Sequence, residues 1–276
     1  MAINSINTND GSFVALQNLA ATNASLNATQ DRISTGKRIA SSKDNGAIWA
    51  ISQNLRAASQ SINAVKNSLD RAQSTADVAL TAGANISDLL VQMKEKALAA
   101  SDAALDTNSR IALNDEFKVL RDTIKKTVDN ADFNGTNMIK SGGIQMQALA
   151  NVAGTSTLTI LAQKLSLGSA NVTVTGTESF ATAANATATL NKVNTSITNV
   201  NKALATMGAQ YKAVALHNTF MAKLQDNLDS GVGNLVDADL GRESARLQSL
   251  QSRQQLGVQA ASIANQSTSA LLGLFR

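Results

Sequence analysis

Between Asp44 and Ala100, apolar residues recur at alternating steps of three and four. The stops are Ile48, Ile51, Leu55, Ala58, Ile62, Val65, Leu69, Ala72, Ala76, Ala79, Gly83, Ile86, Leu90, Met93, Ala97 and Ala100. A 3.5-residue repeat held this long predicts one helix whose seam faces other helices throughout, as in a coiled coil. At 1.5 Å rise per residue such a helix would run about 85 Å. Arg56, Gln60, Lys66, Asp70, Arg71, Asp77, Asp88 and Lys94 lie between the stops and form a polar face. A rod of this kind spans distance or builds an assembly. It does not enclose a small-molecule pocket.

The same alternation appears at both ends of the chain. Ahead of the long helix, Leu16, Leu19, Asn23, Leu26, Gln30 and Ile33 predict a helix starting at Phe13 with Ser12 as its cap. Its two polar stops weaken the seam in isolation and can specify register among partners. Ser34–Asn45, with Gly36 and clustered small polar residues, reads as a linker between two rods. After a turn at Ser101–Asn108, a third helix is predicted over Ser109–Asn130, capped by Asp106 or Asn108. Asn134-Gly135 is a tight-turn signal. Strand-like runs follow at Ile144–Leu149, Thr157–Leu161 and Val172–Thr177, so a small β-rich excursion of two to four strands is expected. Heptads resume at Ala186, Leu190, Val193, Ile197, Val200, Leu204, Met207, Tyr211 and Val214, and run on through Asn218, Met221, Gln225 and Leu228 until Ser230–Asn234 stops them. A last helix starts near Asp237 or Asp239 and carries Leu240, Leu247, Leu250, Val258, Ala261, Ala264, Leu271 and Phe275. The two ends must pair with each other, with other copies, or with both.

Composition narrows the picture. Among 276 residues there is no proline and no cysteine, and 3% are aromatic. The first permits very long helices, the second removes disulfides and thiolate metal sites, and the third argues against a bulky globular core. The net charge of +4 is mild. Basic residues are dispersed apart from Arg32, Lys37, Arg38 and Lys43, and no aromatics interleave them, so nucleic-acid binding is not expected. No apolar run is long enough to span a membrane. Met1–Asp10 lacks a basic n-region and an apolar h-region, so the expectation is a protein without a general secretory signal, exported by a dedicated machine if it works outside the cell.

Candidate chemistry is sparse. Gly36-Lys37 resembles the end of a phosphate loop, yet position 31 is Asp and position 38 is Arg, and the motif fails at both. His217, the single histidine, has no base–nucleophile partner in the pattern and reads as structural. Asp237 and Asp239 fit helix capping better than a calcium loop. Trp49 reads as a packing residue at a helix or subunit contact. Thr155, Ser156, Thr157, Ser166, Ser169, Thr173, Thr175 and Thr177 in the outer excursion are the candidate sugar acceptors, weighed against ordinary exposed β-structure, which is favoured. No cofactor, metal site or catalytic residue is expected.

Asp31-Arg-Ile-Ser-Thr-Gly-Lys-Arg-Ile-Ala-Ser-Ser-Lys-Asp-Asn45 resembles the N-terminal signature of bacterial flagellins. Val236–Leu240, Arg242–Ser244, Ile263–Gln266 and Leu271-Leu272 resemble the flagellin C-terminus, and Arg110, Glu116 and Phe133–Gly135 fit the same pattern. The likeness covers about residues 1–140 and 185–276. It implies a mainly α fold of long antiparallel coiled-coil helices: terminal helices paired over 1–36 and 235–276, a three-helix rod over 37–140 and 183–234, and a β-rich outer segment at 141–182. It also implies a structural subunit, not an enzyme, that self-assembles into the extracellular flagellar filament, alone or with other flagellins.

The expected partners are further copies, the flagellar export machinery, an export chaperone, the filament cap and hook–filament junction proteins, with no nucleic acid and no membrane insertion. Leu16, Leu19, Asn23, Leu26, Ile33, Leu240, Leu247, Leu250, Val258, Ala261, Ala264, Leu271 and Phe275 are the expected assembly interface, and Ser34, Thr35, Gly36, Lys37 and Arg38 the inter-domain linker. Gln92 and Lys96 depart from the segment read by the innate-immune flagellin receptor, so receptor activation is not carried over. The hook–filament junction protein and a helical membrane-binding or signalling module are the competing readings. The N-terminal signature and unbroken heptads disfavour the first, the mixed polar face the second.

Overall fold

A computed structural model of the chain describes residues 8–273, with side chains as far as residue 266. Its elements are α1 (Asp10–Thr35), α2 (Gly46–Ala100), α3 (Thr107–Asn130), β1 (Met146–Leu149), β2 (Thr157–Ile160), α4 (Ala183–Val236) and α5 (Leu240–Gly273). The fold is mainly α, and the described residues hold a single antiparallel sheet of two strands. Two compact units divide the chain. One takes the residues up to Ala57 and from Asn227 on, the other Ala58–Asp226.

In the second unit the predicted seam of α2 is inside. Ile62, Val65, Leu69, Ala72, Ala76, Ala79, Ile86, Leu90, Met93, Ala97 and Ala100 are all buried. On α4 the buried apolar set Ala186, Val193, Val200, Met207, Val214 and Met221 advances by sevens. Polar side chains join the two helices on the same period. Gln225 Nε2 donates to Asn63 Oδ1 at 3.1 Å, Asn218 Nδ2 to Asp70 Oδ1 at 2.6 Å, and Tyr211 OH to Asp77 Oδ2 at 3.3 Å. Ser87 Oγ then donates to Asn201 Oδ1 at 3.1 Å. One strand of the ladder climbs as the other descends, so the helices are antiparallel and a slip by any small step would break all four bonds. Gly83 permits the approach: a Cβ there would overlap Leu204 Cδ2.

The third helix closes this core. Asp106 Oδ1 caps it, accepting from Asn108 N at 2.9 Å and Ser109 N at 3.0 Å. Arg110, itself buried, donates Nε to Ala100 O at 3.0 Å and Nη2 to Asp102 O at 2.8 Å. Ala100 O is one of the carbonyls that the end of α2 leaves without an intrahelical donor, and Asp102 O lies in the turn that follows. Phe117 meets Phe180 edge-on, with centroids 5.0 Å apart. After α3, Asn134 (φ 50) and Gly135 (φ 78) make a tight turn, and Phe133 and Thr136 exchange both backbone hydrogen bonds at 3.0 Å.

Several expectations are corrected. Val172–Thr177 forms no strand. Thr173 N donates to Ser196 Oγ at 2.9 Å and Thr173 Oγ1 to Lys192 O at 2.9 Å, so α4 takes the polar groups while Val172 and Val174 are buried. β1 begins at Met146, leaving Ile144 exposed, and β2 stops at Ile160 because Leu161 N turns to Gln210 Oε1 at 2.9 Å. α4 does not stop at Ser230–Asn234. Val232 and Val236 are buried against Ile39, which outweighs the cost of about 1 kcal/mol for each helical glycine. α1 begins at Asp10, capped by Asn9 Oδ1 instead of Ser12. At the start of α2, Ser52 and Ser59 are buried instead of Ile51 and Ala58.

Phe117 is fully buried and Phe133 partly exposed. Phe117→Ala is therefore expected to lower unfolding stability by about 3–5 kcal/mol, and Phe133→Ala by much less, in urea titrations of the full chain.

Candidate assembly surface

Within the first unit, α1 and α5 lie antiparallel. Asn9 Nδ2 donates to Ala264 O at 2.8 Å, Ser12 Oγ to Asn265 Oδ1 at 2.9 Å, and Gln254 Nε2 to Asn23 Oδ1 at 2.7 Å. At the other end Arg32 and Glu243 form an ion pair at 3.5 Å. Positions 243, 247, 250, 254, 257, 261 and 264 of α5 are buried or half-buried, a clean alternation of fours and threes. Across from them lie Leu19, Asn23, Leu26, Thr29 and Ile33 of α1, buried or half-buried. Asn23–Gln254 is a half-buried polar pair on the seam, of the kind that fixes register at some cost in stability.

The expected interface residues divide accordingly. Leu19, Asn23, Leu26, Ile33, Leu247, Leu250, Ala261 and Ala264 sit in the contact between the helices. Leu16, Leu240 and Val258 do not: each is at least half exposed. Gly257, one residue earlier, takes the seam place expected of Val258, and an added Cβ there would stand 3.3 Å from Leu19 Cδ1. Phe275 and the side chain of Leu271 lie outside the described residues. Arg32, Glu243, Gln254, Gly257 and Thr29 leave no mark in the apolar pattern of the sequence, because charged, amide, hydroxyl or missing side chains carry these seam positions. The spacing from Glu243 onward was the available signal.

The pair covers little of its own apolar surface. Phe13 is 63% exposed, Leu256 63%, Val258 54% and Ile263 68%. Fully burying one such side chain is worth about 1.5–3 kcal/mol, so these uncovered side chains are a large reserve of association energy. Exposure of several large apolar residues along one helix pair marks an interaction surface.

Ser34, Thr35, Gly36, Lys37 and Arg38 form a clasp, not a loose connector. Gly36, with φ 66, ends α1 in the left-handed conformation glycine adopts without cost. Gly36 O accepts from Ala238 N at 2.9 Å, Val236 O from Arg38 N at 2.7 Å, and Leu235 O from Arg38 Nη2 at 2.9 Å. Ser34 Oγ and Thr35 Oγ1 turn back to Asp31 O. Ile39, Val232 and Val236 make a small core here, and Trp49, Ile48, Leu55 and Leu235 pack on it. Asp239 Oδ1 caps α5, accepting from Arg242 N at 3.1 Å.

His217 Nε2 lies 2.7 Å from Ala150 O and ties α4 to the end of the hairpin. Among the described residues no group of three or more acids and histidines could hold a metal ion, and no helix is long and apolar enough to cross a membrane. Of the candidate sugar acceptors, Thr155, Ser156, Thr157 and Thr177 are exposed, whereas Ser166, Ser169, Thr173 and Thr175 are half-buried.

Comparison with known proteins bears on this arrangement. Residues 6–145 match the family model of the bacterial flagellin N-terminal helical region, and residues 190–275 that of the C-terminal helical region. The chain is 54% identical over 276 residues to flagellin FljM of Caulobacter vibrioides, covering all of both. Its fold is similar to that of Bacillus cereus flagellin, with a TM-score of 0.51 at 22% identity over 56% of this chain and 88% of that one. It is also similar to a putative flagellar hook-associated protein from Vibrio parahaemolyticus, with a TM-score of 0.58 at 16% identity over 70% and 100% of the two chains. At those identities the two structures speak to fold alone.

The clasp has a titratable tie. The backbone N–H groups of Ser41 and Ala40 hold the Asp44 carboxyl below its ordinary 3.8, with a smaller contribution from Arg32. A carboxyl with a depressed folded value stabilises the fold above the unfolded value and loses that contribution as pH falls through the folded one. Amide exchange at Ala40 and Ser41, corrected for intrinsic rate, should therefore accelerate as pH drops below about 4. Asp44→Asn should show the faster exchange already at neutral pH and lose the acid limb.

Proposed function

The chain belongs to the bacterial flagellin family and is a structural subunit of the extracellular flagellar filament, not an enzyme; from that premise, we propose that it polymerises through the faces of α1 and α5 left uncovered in the single chain. The observation that carries this reading is the set Phe13, Leu16, Leu256, Val258 and Ile263, large apolar residues all at least half exposed on the helix pair, with Leu256 and Ile263 on one flank of the α5 seam and Val258 on the other. Water is released from these side chains only when neighbouring copies cover them. Contacts of that kind between unlike surfaces propagate without closing, which gives a filament in place of a ring.

In this reading residues 1–36 and 235–276 form the assembly domain, 37–140 and 183–234 the rod, and 141–182 the outer segment. Leu19, Leu26, Leu247, Leu250, Ala261 and Ala264 hold the pair together, while Leu16, Leu240, Val258, Leu271 and Phe275 serve contacts between copies. Export through the flagellar machinery, a chaperone that shields α5 beforehand, and addition beneath a cap next to junction proteins complete the scheme. A thin helix pair suits passage in an unfolded state, since little tertiary structure has to be undone. Thr155, Ser156, Thr157 and Thr177 are the acceptors whose exposure fits modification by sugars.

Electron microscopy and sedimentation test the reading. The unaltered chain should form long uniform filaments on seeding or salting-out. Removal of residues 1–33 or 237–276, or Val258→Asp with Ile263→Asp, should abolish them while circular dichroism of the point variant stays that of the unaltered chain. Normal filaments from the Asp variant would place the contacts elsewhere.

A further inference from the structure

The second unit carries an uncovered surface of its own. On α4, Lys212, Leu216, Thr219, Phe220 and Lys223 fall within about 100° of one another at 3.6 residues per turn, and all five are exposed. Leu216 is 72% exposed and Phe220 54%. His217 is engaged with Ala150 O, and its ring stands 5.8 Å from that of Phe220, which steadies the ridge against the end of the hairpin. From Glu178 to Asp226 the sequence has lysines at 192, 202, 212 and 223 and no acidic residue between. The ridge is therefore apolar at its centre and cationic at both ends.

The same unit holds a matching recess. An open groove of about 430 Å³ runs between α2 and α3. Val78, Ala82 and Ala131 give it apolar walls of small side chains, and Asp77, Asn85 and Asn130 offer side-chain oxygens. It lies at the last turn of α3, a helix end that carries partial negative charge and here has no basic residue. On α3 the nearby Lys125 is held by Asp129 at 2.9 Å.

We propose that the Leu216–Phe220 ridge of one copy seats in the α2–α3 groove of the next, with Lys212 and Lys223 facing Asp77 and the C-terminal turn of α3. Ridge and groove belong to different helices of one unit, so a copy that has offered its ridge still presents its groove. Such a contact repeats along a polymer without closing. The proposal rests on the reading of the chain as a self-assembling subunit and adds a contact that α1 and α5 do not supply. The occupant is a second copy because the charges are complementary and the chain itself carries both halves.

The absence of cysteine makes the contact readable by cross-linking. Thr219→Cys leaves both apolar side chains of the ridge in place. It is paired with Asn130→Cys in one double variant and with Asn85→Cys in another, each in the full chain. Mild oxidation of polymerised protein should give a ladder of disulfide-linked multimers on denaturing gels with at least one pair. Unpolymerised protein and the single variants should give none. If a double variant does not polymerise, the single variants are each copolymerised with excess unaltered chain and with one another, and the expected product is a dimer only in the mixed sample. Phe220→Ser should also raise the critical concentration for polymerisation by about tenfold or more, from the lost burial of one aromatic side chain. Filaments without cross-links in both pairs, or an unchanged critical concentration for Phe220→Ser, would overturn the ridge–groove contact. Failure of the unaltered chain to polymerise would strike at the assembly reading instead.

Discussion

Register between α2 and α4 is the constraint on which the second unit depends. Apolar heptads alone specify that two helices meet, but a slip by seven residues leaves an apolar seam nearly as good. The bonds Asn63–Gln225, Asp70–Asn218, Asp77–Tyr211 and Ser87–Asn201 favour one register: a slip by seven would bring Asp70 to Gln225 and Asp77 to Asn218, but it would set Tyr211 against Ala84 and Asn63 against Val232 and part Ser87 from Asn201. Each bond adds only about 0.5–1.5 kcal/mol net, so their value lies in selection among alternatives more than in total stability. Alanines and Gly83 on the facing side of α2 then let the helix axes approach. With the long helices fixed, α3, the hairpin and residues 161–182 have a single surface to pack on.

The first unit uses the same repeat with the opposite outcome. Its helices pair through a few small or medium apolar residues, an Asn–Gln bond and one ion pair, and much of their apolar surface stays in contact with solvent. Glu243 illustrates the compromise: it is buried, one oxygen faces Arg32, and the other has no hydrogen-bond partner. A protein that worked as a single copy would gain by covering Phe13, Leu256 and Ile263. In the assembly proposed above, a filament subunit leaves them for its neighbours, since association energy spent within the chain is unavailable between chains.

Polar residues in this chain mostly serve geometry. Arg110 closes the end of α2, Asp106 and Asp239 start helices, Asp44 collects the amides of the clasp, and His217 ties α4 to the hairpin. Each satisfies backbone groups that a long helix or a sharp turn leaves open.

Local sequence by itself determined the periodic features. The heptads of α2 and α4, the Asp106 cap, the Asn134-Gly135 turn and the family signature around Gly36 were all legible, because each depends on residues within a turn or two of one another. Tertiary structure alone decided which of two adjacent positions faces a partner. Gly257 displaces Val258, and Ser52 and Ser59 displace Ile51 and Ala58, because a 3.6-residue helix drifts against a 3.5-residue repeat and the partner's surface sets the phase. It likewise decided that Val172–Thr177 gives its polar groups to α4 instead of a neighbouring strand, and that α4 passes through Gly231 and Gly233 to bury Val232 and Val236. In each case burial against residues distant in sequence outweighed a local propensity of about 1 kcal/mol or less.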